Sequence, residues 1–143
     1  VFGSRNFDDY KLFSENMFQY LEDNNIKKGD VIFLSGMANM EKADDQQIGA
    51  DAFIIKWCKE NDFPWTEHPA DWTDIDHAGA VIRYTKSGKP FNMVAGFSRN
   101  AEMAELSTAG ISFYDGASSG TKDMLARMRR RKLSVRTILV QQS

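Results

Sequence analysis

"FYDGASSGTKDM", residues 113–124, is the stretch on which the fold turns. A short apolar run ends in Asp115-Gly116, passes through two serines and reaches Gly120-Thr121 at the point where a helix can start. A tight turn needs a glycine or two. It does not need Ser118, Ser119, Gly120 and Thr121 in succession. A strand that feeds through a small-residue loop into a helix is the repeating unit of parallel α/β sheets. The excess of small hydrogen-bonding residues implies a loop that something polar approaches closely.

The same unit recurs upstream. Val1-Phe2 reads as the end of a first strand whose beginning lies before Val1, and "GSRNFDDY" as a turn leading into a helix. Tyr10, Phe13, Met17, Tyr20 and Leu21 recur at helical spacing up to about Asn24. "VIFLSG" (31–36) is a buried strand ending in a glycine turn. Ala50, Phe53, Ile54, Trp57 and Cys58 mark the next helix face, and "FPWTEH" (63–68) a third strand. "AVIRYTKSGKPFNMV" reads as a hairpin or flap around Lys86-Ser87-Gly88-Lys89. A short helix (about 99–107), a strand (110–114), a helix (119–131) and a last strand (133–140) complete the pattern. The expected fold is a single α/β domain over 1–143, a Rossmann-like open and mainly parallel sheet of about five strands. Helices cover both its faces, and a flap is inserted at about 74–94.

Composition narrows the function classes. A net charge of −2 argues against nucleic acid or an anionic membrane surface as a partner. The chain has no apolar run of spanning length and no signal-peptide pattern. One cysteine, Cys58, excludes an internal disulfide and fits a reducing compartment. Cytoplasm is the expected location, the host cytoplasm for a viral chain. His68, His77 and Cys58 make a poor ligand set, so no metal is expected, and no cofactor either.

In open parallel sheets ligands bind beyond the carboxyl ends of the strands. Four loops should meet there: "GSRNF" (3–7), residues 35–51, "PADW" (69–72) and "DGASSGT" (115–121). Arg5 brings a planar cationic fork suited to phosphate, and Arg99-Asn100, expected at the start of the helix after the flap, a second cation. Several of these residues have two readings. Arg5 is a phosphate ligand or a surface arginine held by Asp8 or Asp9. Asp51 contacts ribose hydroxyls or caps its own helix, and Trp72 stacks on a base or belongs to the core. The run "RMRRRK" (127–132) complements a helix C-terminus or meets an anion or a second subunit. The flap, with Tyr84, Lys86 and Lys89, covers a ligand or packs on a neighbouring copy. Neither G-x-G-x-x-G nor the P-loop motif occurs, which excludes an ordinary NAD dehydrogenase and a P-loop ATPase.

"GSR", "SGMA…GAD", "HPADW", "AGFSRNAEM" and "DGASSGTKDM", in that order, resemble the YspA-like family of the SLOG superfamily, whose Rossmann-like domains sense or process nucleotide-related ligands. The resemblance spans nearly the whole chain. The chain departs from the family pattern in extra segments at about 39–48 and 74–94. The related LOG enzymes cleave the N-glycosidic bond of nucleoside 5′-monophosphates with a Gly-Gly-x-Gly-Thr loop, a following glutamate and an upstream arginine. Arg99 matches that arginine and Gly120-Thr121 the loop, but the glutamate's position holds Met124. Asp123 next to it is turned about 100° around the helix.

The resemblance therefore implies a non-catalytic binder of a nucleotide-derived small molecule, such as a cyclic-nucleotide or ADP-ribose-type signal, and pairing of subunits into a homo-oligomer. The binding set is Gly3, Ser4, Arg5, Ser35, Gly36, Asp51, Arg99, Asn100, Asp115, Gly116, Ser118, Ser119, Gly120 and Thr121. The alternative is a nucleotide N-glycosidase or phosphoesterase that uses Glu102 or Asp123, with Arg99, in place of the missing glutamate.

Overall fold

The computed structural model describes residues 1–38, 47–76 and 78–141. The chain runs β1 (Phe2–Gly3), α1 (Tyr10–Asp23), β2 (Phe33–Ser35), α2 (Ala50–Asn61) and β3 (Trp65–Glu67). The hairpin strands β4 (Ile82–Tyr84) and β5 (Pro90–Asn92) come next. Then follow α3 (Ala95–Leu106), β6 (Ala109–Tyr114), α4 (Ser119–Arg130) and β7 (Ser134–Leu139).

β6 lies parallel to β1 on one side, with Phe2 opposite Ser112, and to β7 on the other, with Ala109 opposite Ser134. β2 and β3 form a second parallel pair. Ser4 N–H faces β6, donating to the Phe113 carbonyl at 2.9 Å. Backbone alternation then turns Val1 the other way, where its nitrogen donates to the Leu34 carbonyl at 3.2 Å. The β2-β3 pair thus lies on the β1 side of the sheet β1-β6-β7, joined to it by that one bond. The chain leaves β1 to one side and returns to the other, so a crevice opens beyond the ends of β1 and β6.

Alternation along β6 also divides the core. Ile111 and Phe113 point to one face, where they meet Phe13 and Met17 of α1 and Phe53, Ile54 and Trp57 of α2. Phe2 points to the opposite face and joins Met103 and Ala104 of α3 and Met124 and Met128 of α4. Each helix lays a stripe of three- and four-residue spacing on the sheet. The start of α1 is fixed by Asp9, whose carboxylate accepts the Leu12 N–H at 3.0 Å. Among the described residues no helix is long and apolar enough to cross a membrane.

The helix expected from about 99 begins four residues earlier, at Ala95. Asn92, almost fully buried, explains the difference. Its side-chain carbonyl accepts the N–H groups of Val81 (3.3 Å) and Val94 (3.1 Å), closing the flap's base and starting the helix there. Arg99 consequently sits in the second turn of α3 and not at its start. The flap's regular part is the antiparallel hairpin, Ile82 opposite Asn92, preceded by irregular chain. Most of the extra segment at 39–48 lies outside the described residues, as does His77.

Candidate functional site

The crevice is a cavity of about 630 Å³, bounded by the loops after β1, β2 and β6, by Trp72 and by the inner sides of α3 and α4. That is within the range of about 300–1,000 Å³ typical of small-molecule sites. It brings together Gly3, Arg5, Gly36, Asp51, Arg99, Asn100, Asp115, Ser118, Ser119, Gly120 and Thr121 from the expected set.

Three of the expected residues do not line the cavity. The Ser4 hydroxyl accepts the Asp115 N–H at 3.0 Å and ties the first loop to the last. The Ser35 hydroxyl, wholly buried, donates to the Asp51 carbonyl at 2.7 Å and accepts the Met37 N–H at 3.1 Å. Gly116 supplies a turn with φ of +86°. These residues build the loops that carry the site. Asn100 lines the cavity, yet its carboxamide is used between helices. It accepts from Arg99 Nε (3.0 Å) and donates to the Gly120 carbonyl and to Asp123, each at 3.1 Å.

The catalytic alternatives lie elsewhere. Asp123 is bound to Asn100 and, at 2.8 Å, to Arg127 Nε, so its carboxylate serves the contact between α3 and α4. Glu102 is exposed and stands 3.7 Å from His68 Nδ1. Neither belongs to the cavity wall, whose carboxylates are Asp51 and Asp115. Met124, where the resemblance leads one to expect a glutamate, is buried in that wall.

Arg99 and Asp51 pack across Gly36. A Cβ on Gly36 would come within 2.5 Å of Arg99 Nη1 and 3.0 Å of Asp51 Oδ2, so any larger residue would have to displace the Arg99 guanidinium. Arg99 Nη1 also donates to the Gly36 carbonyl, and Asp51 Oδ2 accepts the Ala38 N–H at 3.0 Å. Burial pushes the Asp51 carboxyl above the usual aspartate range; Arg99 and then the Ala38 N–H oppose the rise. Burial likewise lowers Arg99, with Asp51 opposing. An aspartate raised in the folded state keeps its proton where the unfolded chain has lost it. Stability therefore falls as pH rises from the unfolded value through the folded one. Asp51→Asn should escape that fall, so its stability relative to the parent should grow from pH 4 to pH 8. Urea unfolding across that range checks this; a constant difference would show that Asp51 does not titrate in the window.

The opposite wall is the N-terminus of α4. Asp115 Oδ1 accepts the N–H groups of Ala117 and Ser118, both at 2.8 Å, and no side chain caps the helix. The Thr121 hydroxyl turns back to Ser118 Oγ at 3.1 Å. Uncapped first-turn N–H groups and the helix dipole favour an anion there. Gly120 has no structural need to be glycine, since nothing lies within 4 Å of where its Cβ would stand. Alanine is intrinsically the better helix residue by up to about 1 kcal/mol. Gly120→Ala should fold at least as stably as the parent, and since Gly120 lines the cavity, weaker binding by this variant would show that the ligand lies against this turn. Thermal melting paired with calorimetric titration reads both quantities.

Sequence reasoning missed most of the apolar side, Phe2, Met93, Phe97 and Met103, and singled out Met124 only as the residue at the glutamate's position; Asn6 and Ala38 also line the cavity. Trp72, given two readings, lines the cavity, with the Arg5 guanidinium 5.9 Å from its ring centroid. Gly96 lets the Trp72 ring lie on α3. Among the described residues no three His, Cys, Asp or Glu side chains converge to hold a metal. Cys58 is fully buried, and burial pushes its thiol up to about 12, which makes it unreactive.

In comparisons with protein-family models, curated proteins and solved structures, nothing matches this chain.

Proposed function

We propose that this protein binds a nucleotide-derived small molecule and holds it unchanged, as a sensor or a sink. The observation that carries the reading is the composition of the cavity wall. Two guanidinium groups and an uncapped helix N-terminus suit phosphate, the apolar side and Trp72 suit a base, and Met124 stands where the LOG-like resemblance calls for a carboxylate. Two-copy assembly belongs to the same reading: Phe18 on α1 and Tyr84 on the flap are exposed aromatics that a second copy would cover. A monomer by light scattering at micromolar concentration would remove that part.

One observation favours hydrolysis as a second reading: Asp51 and Asp115 do line the cavity, and a buried acid of raised pKa is a candidate proton donor. Mass spectrometry of small molecules released on denaturing the purified protein separates the two readings. A nucleotide recovered intact, and bound equally by Glu102→Gln and Asp123→Asn, supports the binder. Turnover by the parent that Asp51→Asn or Asp115→Asn abolishes establishes the enzyme.

A further inference from the structure

The basic run at the end of α4 takes no part in the cavity wall. α4 begins at that wall and, at about 1.5 Å per residue, ends about 18 Å away at the opposite end of the sheet. There Arg129, Arg130, Arg131 and Lys132 are all exposed, and among the described residues none has an ion-pair partner. The helix dipole accounts for Arg129 and Arg130, which stand in the last turn. Its field falls off past that turn, where Arg131 and Lys132 lie. Lys132 holds a backbone φ of +59°, the left-handed position after a helix that glycine usually fills. Lysine sits there at a backbone cost that glycine would avoid.

The run leads directly into β7, an edge strand. β6 pairs with it on one side, and among the described residues no strand pairs with it on the other. The Val140 N–H turns inward to the Tyr114 carbonyl at 2.9 Å, so alternation turns the backbone N–H and carbonyl groups of Val135, Thr137 and Leu139 outward. Natural edges are commonly blunted by charges or proline on the strand itself. β7 has neither on its open side. Its exposed side chains are Ser134, Thr137 and Leu139, and its one charge, Arg136, is tied to Asp23 at 2.8 Å and lies over the Tyr20 ring. The four cations stand before the strand and leave the edge open. A ladder of donors and acceptors at strand spacing fits an extended peptide; a nucleic acid backbone has no such alternation. We propose that the open edge of β7 and the cations before it form a docking site for an extended acidic segment of a partner protein. The segment adds as a further strand and lays its carboxylates on Arg129, Arg130, Arg131 and Lys132. A second copy of this chain fits less well. Two β7 strands in parallel would set the basic clusters side by side, and in antiparallel each cluster would face the uncharged residues 138–140.

The test is calorimetric titration of the full chain with a capped peptide of glutamates followed by alternating threonine and valine, and with the reverse order, since an added strand can run either way. One of the two should bind at least about tenfold more tightly than the same peptide with lysines for glutamates, and the gap should narrow as salt rises. Bound peptide should slow amide hydrogen exchange at Val135, Thr137 and Leu139 by at least about tenfold. Arg136 and Ile138, whose N–H groups face β6, should not change. Thr137→Pro removes an outward donor without touching the β6 ladder and should abolish binding. Arg130→Glu with Arg131→Glu should remove the preference for glutamate. Should either variant fail to fold, the peptide comparison and the exchange on the parent decide alone. The proposal is overturned if neither peptide binds at millimolar concentration, if the lysine peptide binds as tightly, or if binding leaves exchange along β7 unchanged. It is overturned equally if a single-stranded RNA oligonucleotide binds more tightly and the double glutamate variant loses it, or if the chain alone is a dimer that Thr137→Pro makes a monomer.

Discussion

Phe113→Ala is expected to lower the unfolding free energy by about 3–5 kcal/mol, the usual cost of emptying a buried aromatic site. Phe113 has no exposed surface. Its ring stacks on Phe7 at 5.3 Å between centroids and meets Phe13 at 4.7 Å, so it joins the loop after β1 to α1 and the sheet. All three are large and rigid, and Phe7 and Phe13 also contact Phe53 at 5.6 Å each. Little can move to fill the space, which places the cost high in its range. Against a total stability of about 5–15 kcal/mol such a loss is a large fraction. The hole would open beside Phe7, in the loop that carries Arg5, because the two rings are stacked. Leu139→Ala, at a side chain 77% exposed, should change stability by less than about 0.5 kcal/mol and serves as the control. Urea unfolding of both measures the contrast; a loss under about 1.5 kcal/mol for Phe113→Ala would mean that the aromatic cluster repacks.

Phe113 also shows why the fold was legible in the sequence. A strand covered on both faces must be apolar almost throughout, and β6 is buried from Gly110 to Phe113. Together with the loop at 115–118 and the helix after it, that run specifies a parallel unit. β1 is different: two residues carry no periodicity, and only the loop that follows marks it as a strand. The start of α3 was misplaced because Asn92 supplies its N–H acceptor from within the flap, a contact across the hairpin base that local spacing does not encode. The polar side of the site was legible for a chemical reason, since small residues clustered after strands exceed what turns require. Its apolar side was not. Met103 and Met124 face the cavity from helix positions whose spacing is also that of the core, and one-dimensional periodicity treats the two alike. Ser4 and Ser35 illustrate the converse. Their residue type matched the site, but their hydroxyls are used inside the loops.

Arg99→Ala should weaken binding of the nucleotide recovered from the parent by about 1.5–3 kcal/mol, roughly 10- to 150-fold, the scale of hydrogen bonds to a charged group. Arg99 lines the cavity, and its orientation is set on two sides, by the Gly36 carbonyl and by the Asn100 carboxamide. A guanidinium held in this way pays little entropy to meet a phosphate. The substitution also removes the main positive group facing the buried Asp51, so some loss of stability is expected along with the loss of binding. The double variant Arg99→Ala with Asp51→Asn separates the two effects: it should recover stability, because no uncompensated carboxyl remains, and it should not recover binding. Arg99→Lys should fall between parent and alanine, since it keeps the charge but loses the planar fork. If Arg99→Ala binds as tightly as the parent, the phosphate does not sit at Arg99. If the double variant regains affinity together with stability, Arg99 acts by balancing Asp51 and not by touching the ligand.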